Sequence, residues 1–437
     1  MKIRSDSIPN IQKESRYRVW WSLYTLEHML GIITGRTTCI RDGVCTTPLP
    51  VPFEEECLQE QAASELLNDA QLRDERINRA MPSWLVRQMP LNPKGGKEAS
   101  YAYRHKDSSW IRSVPVNWGL YYLFYCDLAI IVQEIVNKVY SVDCVVIPWA
   151  HIENRIGELR ARVDLWLSNL PPSLDFTSKV ENDSKWIQGK LNLAFHFYSA
   201  RITLGRPCLC RRDARPINPE QKETFSHSIA VVTLESAAHM LDLLPEKPDG
   251  VLLFQVSPWF VVTHYIMQAA TVLLLELAFG CVHMPEQEFS FLSLSKKSIR
   301  WLHAMAKHSM ASLRAWQLCD LAFRRLAMGM TYSTDDLPTC MDNVLDGSPT
   351  IKRSTETQQN ALFEGHSVEG MPSGSLHQTP YENQFSFYLD HGNFPTEEMN
   401  SWTFNTAEPD FPYDPVSSGF IQSIFPQEIE QENFDHF

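Results

Sequence analysis

The sequence predicts an all-α fold: an irregular multi-helix domain over residues 1–335, followed by a disordered acidic-aromatic tail over 336–437. Three observations predict it. Apolar residues recur at helical spacing through most of the first 330 positions, and strand signals are scarce. Charge and periodicity then change together. Residues 354–437 contain 14 Asp and Glu and no Lys or Arg, whereas the preceding 353 residues hold 39 basic against 38 acidic groups. The net charge of −13 therefore resides in the terminal segment.

The helices follow in order. Near the start, Trp20, Leu23, Tyr24, Glu27, Leu30 and Ile33/Thr34 share one helical face, with Trp21 on the adjoining one and Gly35 placed to end the helix. Spacing alone describes a core helix with two large anchors. Residues 116–140 read as a largely buried helix after Ser113-Val114-Pro115. Trp149, Ile152, Ile156, Leu159, Val163, Trp166 and Leu170 form one apolar stripe, with Glu153, Arg155, Glu158, Arg160 and Arg162 turned outward and Pro171-Pro172 as the stop. Further helices are expected over 184–204, 219–244 and 258–283. The last has Ser257 as N-cap and Pro258 at the first helical position. Residues 293–330 read as one broken helix or two packed ones. The 144–149 run, CVVIPW, is too short to argue a sheet. The links at 90–97, 170–175, 206–219 and 245–250 read as inter-helix loops within one domain, and no internal repeat suggests a solenoid. Beyond Tyr332 the periodicity disappears. The tail interleaves carboxylates with 14 aromatics, including Phe420, Phe425, Phe434 and Phe437, a composition that stays solvated while offering apolar anchors.

Several classes find no support. The N-terminus lacks an apolar stretch of signal-peptide length. Residues 259–282 are apolar enough to cross a membrane, but His264, Gln268 and Glu276 interrupt them and no basic cluster flanks them; a buried core helix is expected, with no membrane partner. The balanced charge of the body is not the footprint of a nucleic-acid surface. The ten cysteines contain no CxxC pair, so they read as reduced thiols of an intracellular chain. Cys208 and Cys210, among Arg206, Arg211 and Arg212, lack a third ligand and read as core or loop cysteines. HExxH, GxSxG, GxxxxGK[ST] and GxGxxG are all missing, so no catalytic, cofactor-binding or metal residue is nominated and an enzyme is not expected. The basic run Arg206, Arg211, Arg212, Arg215 is a candidate dock for the acidic tail or an anionic effector.

One pattern is more specific than any of these. Arg18, Trp20-Trp21, Leu26-Glu27, Gly35-Arg36, Asp42 and Leu49-Pro50 succeed one another in a way that resembles the fungal-specific transcription factor middle homology domain, also called the xylanolytic activator regulatory domain. Thr37 stands where that family usually has proline. Trp166…Leu170-Pro171 resembles the family's helix ending in Trp-x-x-x-Leu-Pro. The stretch from Phe195 through Arg206-Pro207-Cys208-Leu209 resembles its tyrosine-rich helix ending in Arg-Pro-x-Leu, with Gly205 in place of the usual histidine. The resemblance covers roughly residues 15–330.

The resemblance implies an all-α regulatory domain of a zinc-cluster transcription factor, acting in the nucleus on RNA polymerase II transcription. Arg18, Trp20, Trp21, Glu27, Gly35, Arg36, Arg206 and Pro207 are its motif residues, with structural or regulatory roles. The family's DNA-binding module places six cysteines as Cys-x2-Cys-x6-Cys and a similar second half around two zinc ions; these 437 residues contain no such spacing. No cofactor is therefore expected in this chain, and DNA is a partner only if a cluster lies upstream of Met1. The chain reads as a C-terminal fragment, an alternative transcript or the product of a misplaced start. The expected partners are coactivators bound through the tail, with Phe420, Phe425, Phe434 and Phe437 as anchors, and a second subunit in a homo- or heterodimer. The alternative is a helical adaptor or decoy that acts without touching DNA.

Overall fold

The computed structural model describes residues 8–36, 38–40, 46–83, 109–177, 186–211, 224–330 and 332–339, and these belong to one packed unit. Among them the regular elements are helices, with no strand. The first is α1, Asn10–Thr34. An extended strap, 46–53, then leads to α2 (Gln61–Asn68) and α3 (Ala70–Arg73), which runs into a π-helical turn at Asp74–Asn78. Next come the short α4 (Ser109–Ser113), α5 (Trp118–Val139) and α6 (Trp149–Asn169). The centre of the bundle is made by α7 (Ile187–Cys210), α8 (Phe225–Asp242) and α10 (Trp259–Ala278), with the short α9 (Gly250–Val256) between the last two. Two helices close it, α11 (Glu288–Ala306) and α12 (Met310–Met330).

Local chemistry accounts for the boundaries. Asn117 accepts from the Leu120 amide at 2.9 Å and caps α5, and Thr224 accepts from the His227 amide to cap α8. Gly35 ends α1 in the left-handed region at φ 64°, where a Cβ would be strained. The stripe read on α6 is buried at Ile152, Ile156, Leu159, Val163 and Trp166, and the helix stops one residue before Leu170-Pro171. Trp166 stacks on Phe197 at 5.9 Å, meets Phe124 edge-on at 6.2 Å, and donates to the Phe124 carbonyl at 3.1 Å. One side chain thus ties α6 to α7 and α5. Residues 293–330 resolve into two packed helices. Both α5 and α10 are long and apolar enough to span a membrane, yet each is mostly buried against its neighbours in the bundle.

Three expectations are corrected. Ser257 does not cap α10: Pro258 holds the cap position with extended backbone and no side-chain cap forms. The helix expected to end at 204 continues to Cys210, with Pro207 inside it. Proline cannot donate to the carbonyl four residues earlier. That carbonyl, on Thr203, instead accepts the Tyr140 hydroxyl at 2.5 Å, so the helix continues without an orphaned acceptor. Finally, α1 buries Glu14, Trp21, Tyr24, Thr25, His28 and Met29, not the face of Trp20, Leu23 and Leu30. Trp20 is half-buried, and Leu23 and Leu30 are exposed. The acidic tail, Arg212 and Arg215 lie outside the described residues, as do the readings made for Phe420, Phe425, Phe434 and Phe437.

Candidate functional site

Two motif residues of α1, Arg18 and Trp21, converge on the strap that follows it. Glu14 is fully buried and lies between two guanidinium groups, Arg18 Nε at 3.3 Å and Arg73 Nη2 at 2.7 Å. The same carboxylate accepts the Val51 amide at 2.9 Å. Arg18 donates onward to the Phe53 carbonyl at 2.6 Å, and Arg73 to the Leu49 carbonyl at 2.5 Å. Arg73 also lies over the Tyr17 ring, 5.3 Å from its centre. The strap residues Leu49 and Val51 are fully buried. Buried backbone groups need partners, and the ion cluster supplies two, the acceptor for the Val51 amide and the donor for the Leu49 carbonyl. The Leu49 amide donates to Asn78 Oδ1 at 3.3 Å, and the Val51 carbonyl accepts the Phe53 amide at 2.9 Å.

The second tryptophan completes the clamp. Trp21 is 1% exposed, donates from Nε1 to the Pro48 carbonyl at 2.8 Å, and meets Tyr24 edge-on at 5.1 Å. Helix α5 closes the far side: Tyr122 donates to the Arg18 carbonyl at 2.9 Å, and Asn117 donates to the Pro52 carbonyl at 3.0 Å. Gly119 sits against the strap so closely that a Cβ there would come within 2.2 Å of the Phe53 carbonyl oxygen. His28, beneath Tyr24 at 4.0 Å, has its pKa lowered to about 4 by burial, which Glu27 and Gln133 counter only in part. It is neutral at physiological pH.

Glu27 has a separate task. Its carboxylate accepts the Cys39 amide, and the Arg36 amide bonds the Gly31 carbonyl at 3.0 Å, so Glu27, Gly35 and Arg36 shape the turn that leaves α1. Arg36 itself is exposed. Arg206 and Pro207 act elsewhere, at the junction of α7 with the end of α5. There the exposed Arg206 lies 5.9 Å from the Tyr140 ring, and Arg211 lies over Trp149 at 4.4 Å. Gly205 permits the approach of α8, since its Cβ would stand 1.9 Å from Thr233 Oγ1. The cleft lined by Arg160, Arg201, Gly205 and Thr233 has room for about one water molecule, so no effector-sized cavity forms there.

Among the described residues no group of three or more His, Cys, Asp or Glu is placed to hold a metal. Cys208 is buried and its thiol is pushed up to about 12 by desolvation, so it is no nucleophile. What the buried charges of the clamp do is hold the strap against α1. Sequence reading found Arg18 and Trp21 but missed Glu14, Arg73, Asn117 and Tyr122. Glu14 stands one helical turn before Arg18, a readable pairing; Arg73 is 59 residues from its partner and left no local signal.

Residues 3–89 match the family described as the fungal specific transcription factor domain, a span that includes the ion cluster from Glu14 to Arg73. This chain carries a fungal specific transcription factor domain. A transcription regulator of Aspergillus niger, "Transcription regulator galc", is 32% identical over 364 aligned residues, covering 76% of this chain and 42% of that protein. An uncharacterized transcriptional regulatory protein of Schizosaccharomyces pombe is 44% identical over 55 residues, 12% of this chain and 7% of the relative. The chain thus spans well under two thirds of the relatives it matches. No solved structure matches it. The domain's match ends well before α5, so α5–α12 are related to known proteins through the longer alignment and not through the family match.

Proposed function

We propose that this chain is the regulatory portion of a nuclear regulator of RNA polymerase II transcription and has no catalytic activity. In this reading the helical body is the regulatory, effector-responsive module and the acidic tail is the activation segment. The observation that carries it is the segregation of charge: all of the net −13 lies in an aromatic-rich segment appended to a body that carries the transcription factor domain. Carboxylates keep the aromatic anchors solvated until a coactivator groove takes them up, and such segments bind with modest affinity because ordering them costs conformational entropy. The clamp supports the body's part in this reading, since it makes one rigid unit of α1, the strap and α5.

A reporter assay tests it. Residues 354–437 fused to an unrelated DNA-binding domain are expected to activate transcription. Replacing Phe420, Phe425, Phe434 and Phe437 by Ala should reduce that activation severalfold. An inert parent fusion, expressed and nuclear, sinks the assignment.

A further inference from the structure

The chain that follows α12 is held against the two closing helices by a second strap. The Tyr332 hydroxyl donates to the Glu288 carboxylate at the start of α11. Asp336 pairs with Lys296 at 2.7 Å and with Arg300 at 3.3 Å, about two to three turns farther along the same helix. Leu337 is buried, and Arg324 of α12 donates to the Pro338 carbonyl at 3.0 Å. Residues 332–338 thus bridge α11 and α12, and the acidic segment follows them in the sequence. What holds the strap is weak. Asp336 is exposed, so its two ion pairs are solvated and contribute little. Leu337 is its one buried apolar side chain. A segment with so few buried contacts opens locally at low cost.

Within the strap Ser333 is exposed, lies outside any helix, and is followed at the second and third positions by Asp335 and Asp336. We propose that Ser333 is a phosphorylation site for an acid-directed serine/threonine kinase, and that its phosphate releases the strap. A kinase with a basic substrate groove is complementary to a hydroxyl followed by two carboxylates. Thr334 is the poorer acceptor, being half-buried with its carbonyl held by the Leu337 amide at 3.1 Å. In the unmodified chain Ser333 Oγ donates to Asp335 Oδ2 at 3.0 Å and accepts the Asp335 amide at 3.3 Å, which closes a local turn. Transfer of the γ-phosphoryl group of a nucleoside triphosphate forms a bond from Ser333 Oγ to phosphorus and breaks the one to the β,γ-bridging oxygen. The nucleoside diphosphate leaves, and the hydroxyl proton passes to the kinase's base. The phosphoserine carries about −1.5 to −2 charges at pH 7 and has no hydroxyl proton for Asp335. The bond that closes the turn thus becomes a repulsion between anions, and Glu288, the partner of adjacent Tyr332, adds another. The strap's cations, Lys296 and Arg300, are already engaged by Asp336. A phosphate placed among carboxylates disrupts a segment instead of ordering it.

The full chain, treated with an acid-directed kinase and ATP and mapped by tandem mass spectrometry, is expected to carry phosphate at Ser333. Ser333→Ala should abolish that incorporation, and Thr334→Ala should retain it. Amide exchange in the 332–339 peptide should quicken severalfold on treating the wild-type chain. It should not change on treating Ser333→Ala, so phosphate elsewhere in the chain is not the cause. Leu337→Ala, which removes the buried anchor and leaves the hydroxyl in place, should quicken exchange in the same peptide without any kinase. A chain with no phosphate at Ser333 overturns the proposal, and the hydroxyl then serves only to close its turn. Exchange that is unchanged or slowed by the phosphate overturns it too, as does a strap indifferent to Leu337→Ala.

Discussion

Removing both members of the buried Glu14–Arg73 pair should cost clearly less than the two single removals added together. In Glu14→Ala the Arg73 guanidinium, about 7% exposed, loses its carboxylate and keeps only the Leu49 carbonyl, while the Val51 amide loses its acceptor. Stranding a buried charge costs about 3–5 kcal/mol, and the orphaned amide adds about 1–3 kcal/mol. Arg73→Met leaves Glu14 fully buried against Arg18 alone, at the longer distance of 3.3 Å, and falls in the same range. The double variant Glu14→Met/Arg73→Met strands neither charge of the pair, although Arg18 and the two strap groups still lose a partner. It should be less damaging than the sum of the singles by about 2–3 kcal/mol, the coupling expected of residues in one network. Urea unfolding at constant m-value measures the cycle, and limited proteolysis between 46 and 53 reports release of the strap. Single variants that cost under about 1 kcal/mol, or a double that equals the sum, would refute the reasoning, because the cluster would then behave as a solvated surface pair.

Gly205→Ala gains about 1 kcal/mol of helix propensity but drives a methyl onto Thr233 Oγ1, and overpacking of this kind costs about 1–3 kcal/mol. The net effect is expected to be destabilising in the wild type and neutral or stabilising in a Thr233→Ala background; a melting series on the four proteins reads the sign change. Tyr140→Phe should cost about 1–3 kcal/mol because it orphans the Thr203 carbonyl. Pro207→Ala in the same chain restores an amide donor to that carbonyl and should recover part of the loss. His28 and His196 are each 3% exposed or less, and desolvation lowers both to about 4, below the ordinary 6.5. Their stabilising contribution is present above pH 6.5 and is lost as pH falls from there toward 4. Linkage gives a loss of about 3 kcal/mol for the pair between pH 7.5 and 5.5, measurable as a fall in urea midpoint that His28→Gln roughly halves if the glutamine variant folds with its spectrum intact.

How much was legible varies by element. The α6 stripe could be read residue by residue, because one face of that helix meets the core and its stop signal, Pro171-Pro172, is local. Helix α1 could be located but not oriented. It has two apolar faces, and periodicity ranks Leu23 and Leu30 with Tyr24 when only the last is covered. Pro207 was read as a boundary because the sequence around it shows a missing donor. The compensating hydroxyl of Tyr140 is 63 residues from Thr203.

What the sequence by itself determined is everything that depends on near neighbours and on composition: an all-helical body, its helix stops at Gly35 and Pro171, the charge divide near 354, and the order of motifs that identifies the domain. What the tertiary structure decided is which of two faces of α1 is inside, what Arg18 is for, and why Gly205 stands beside Thr233. Those outcomes turn on desolvation. A carboxylate such as Glu14 is stable in the interior only where Arg18, Arg73 and the Val51 amide arrive together, and three groups drawn from distant parts of the chain meet only once it has folded.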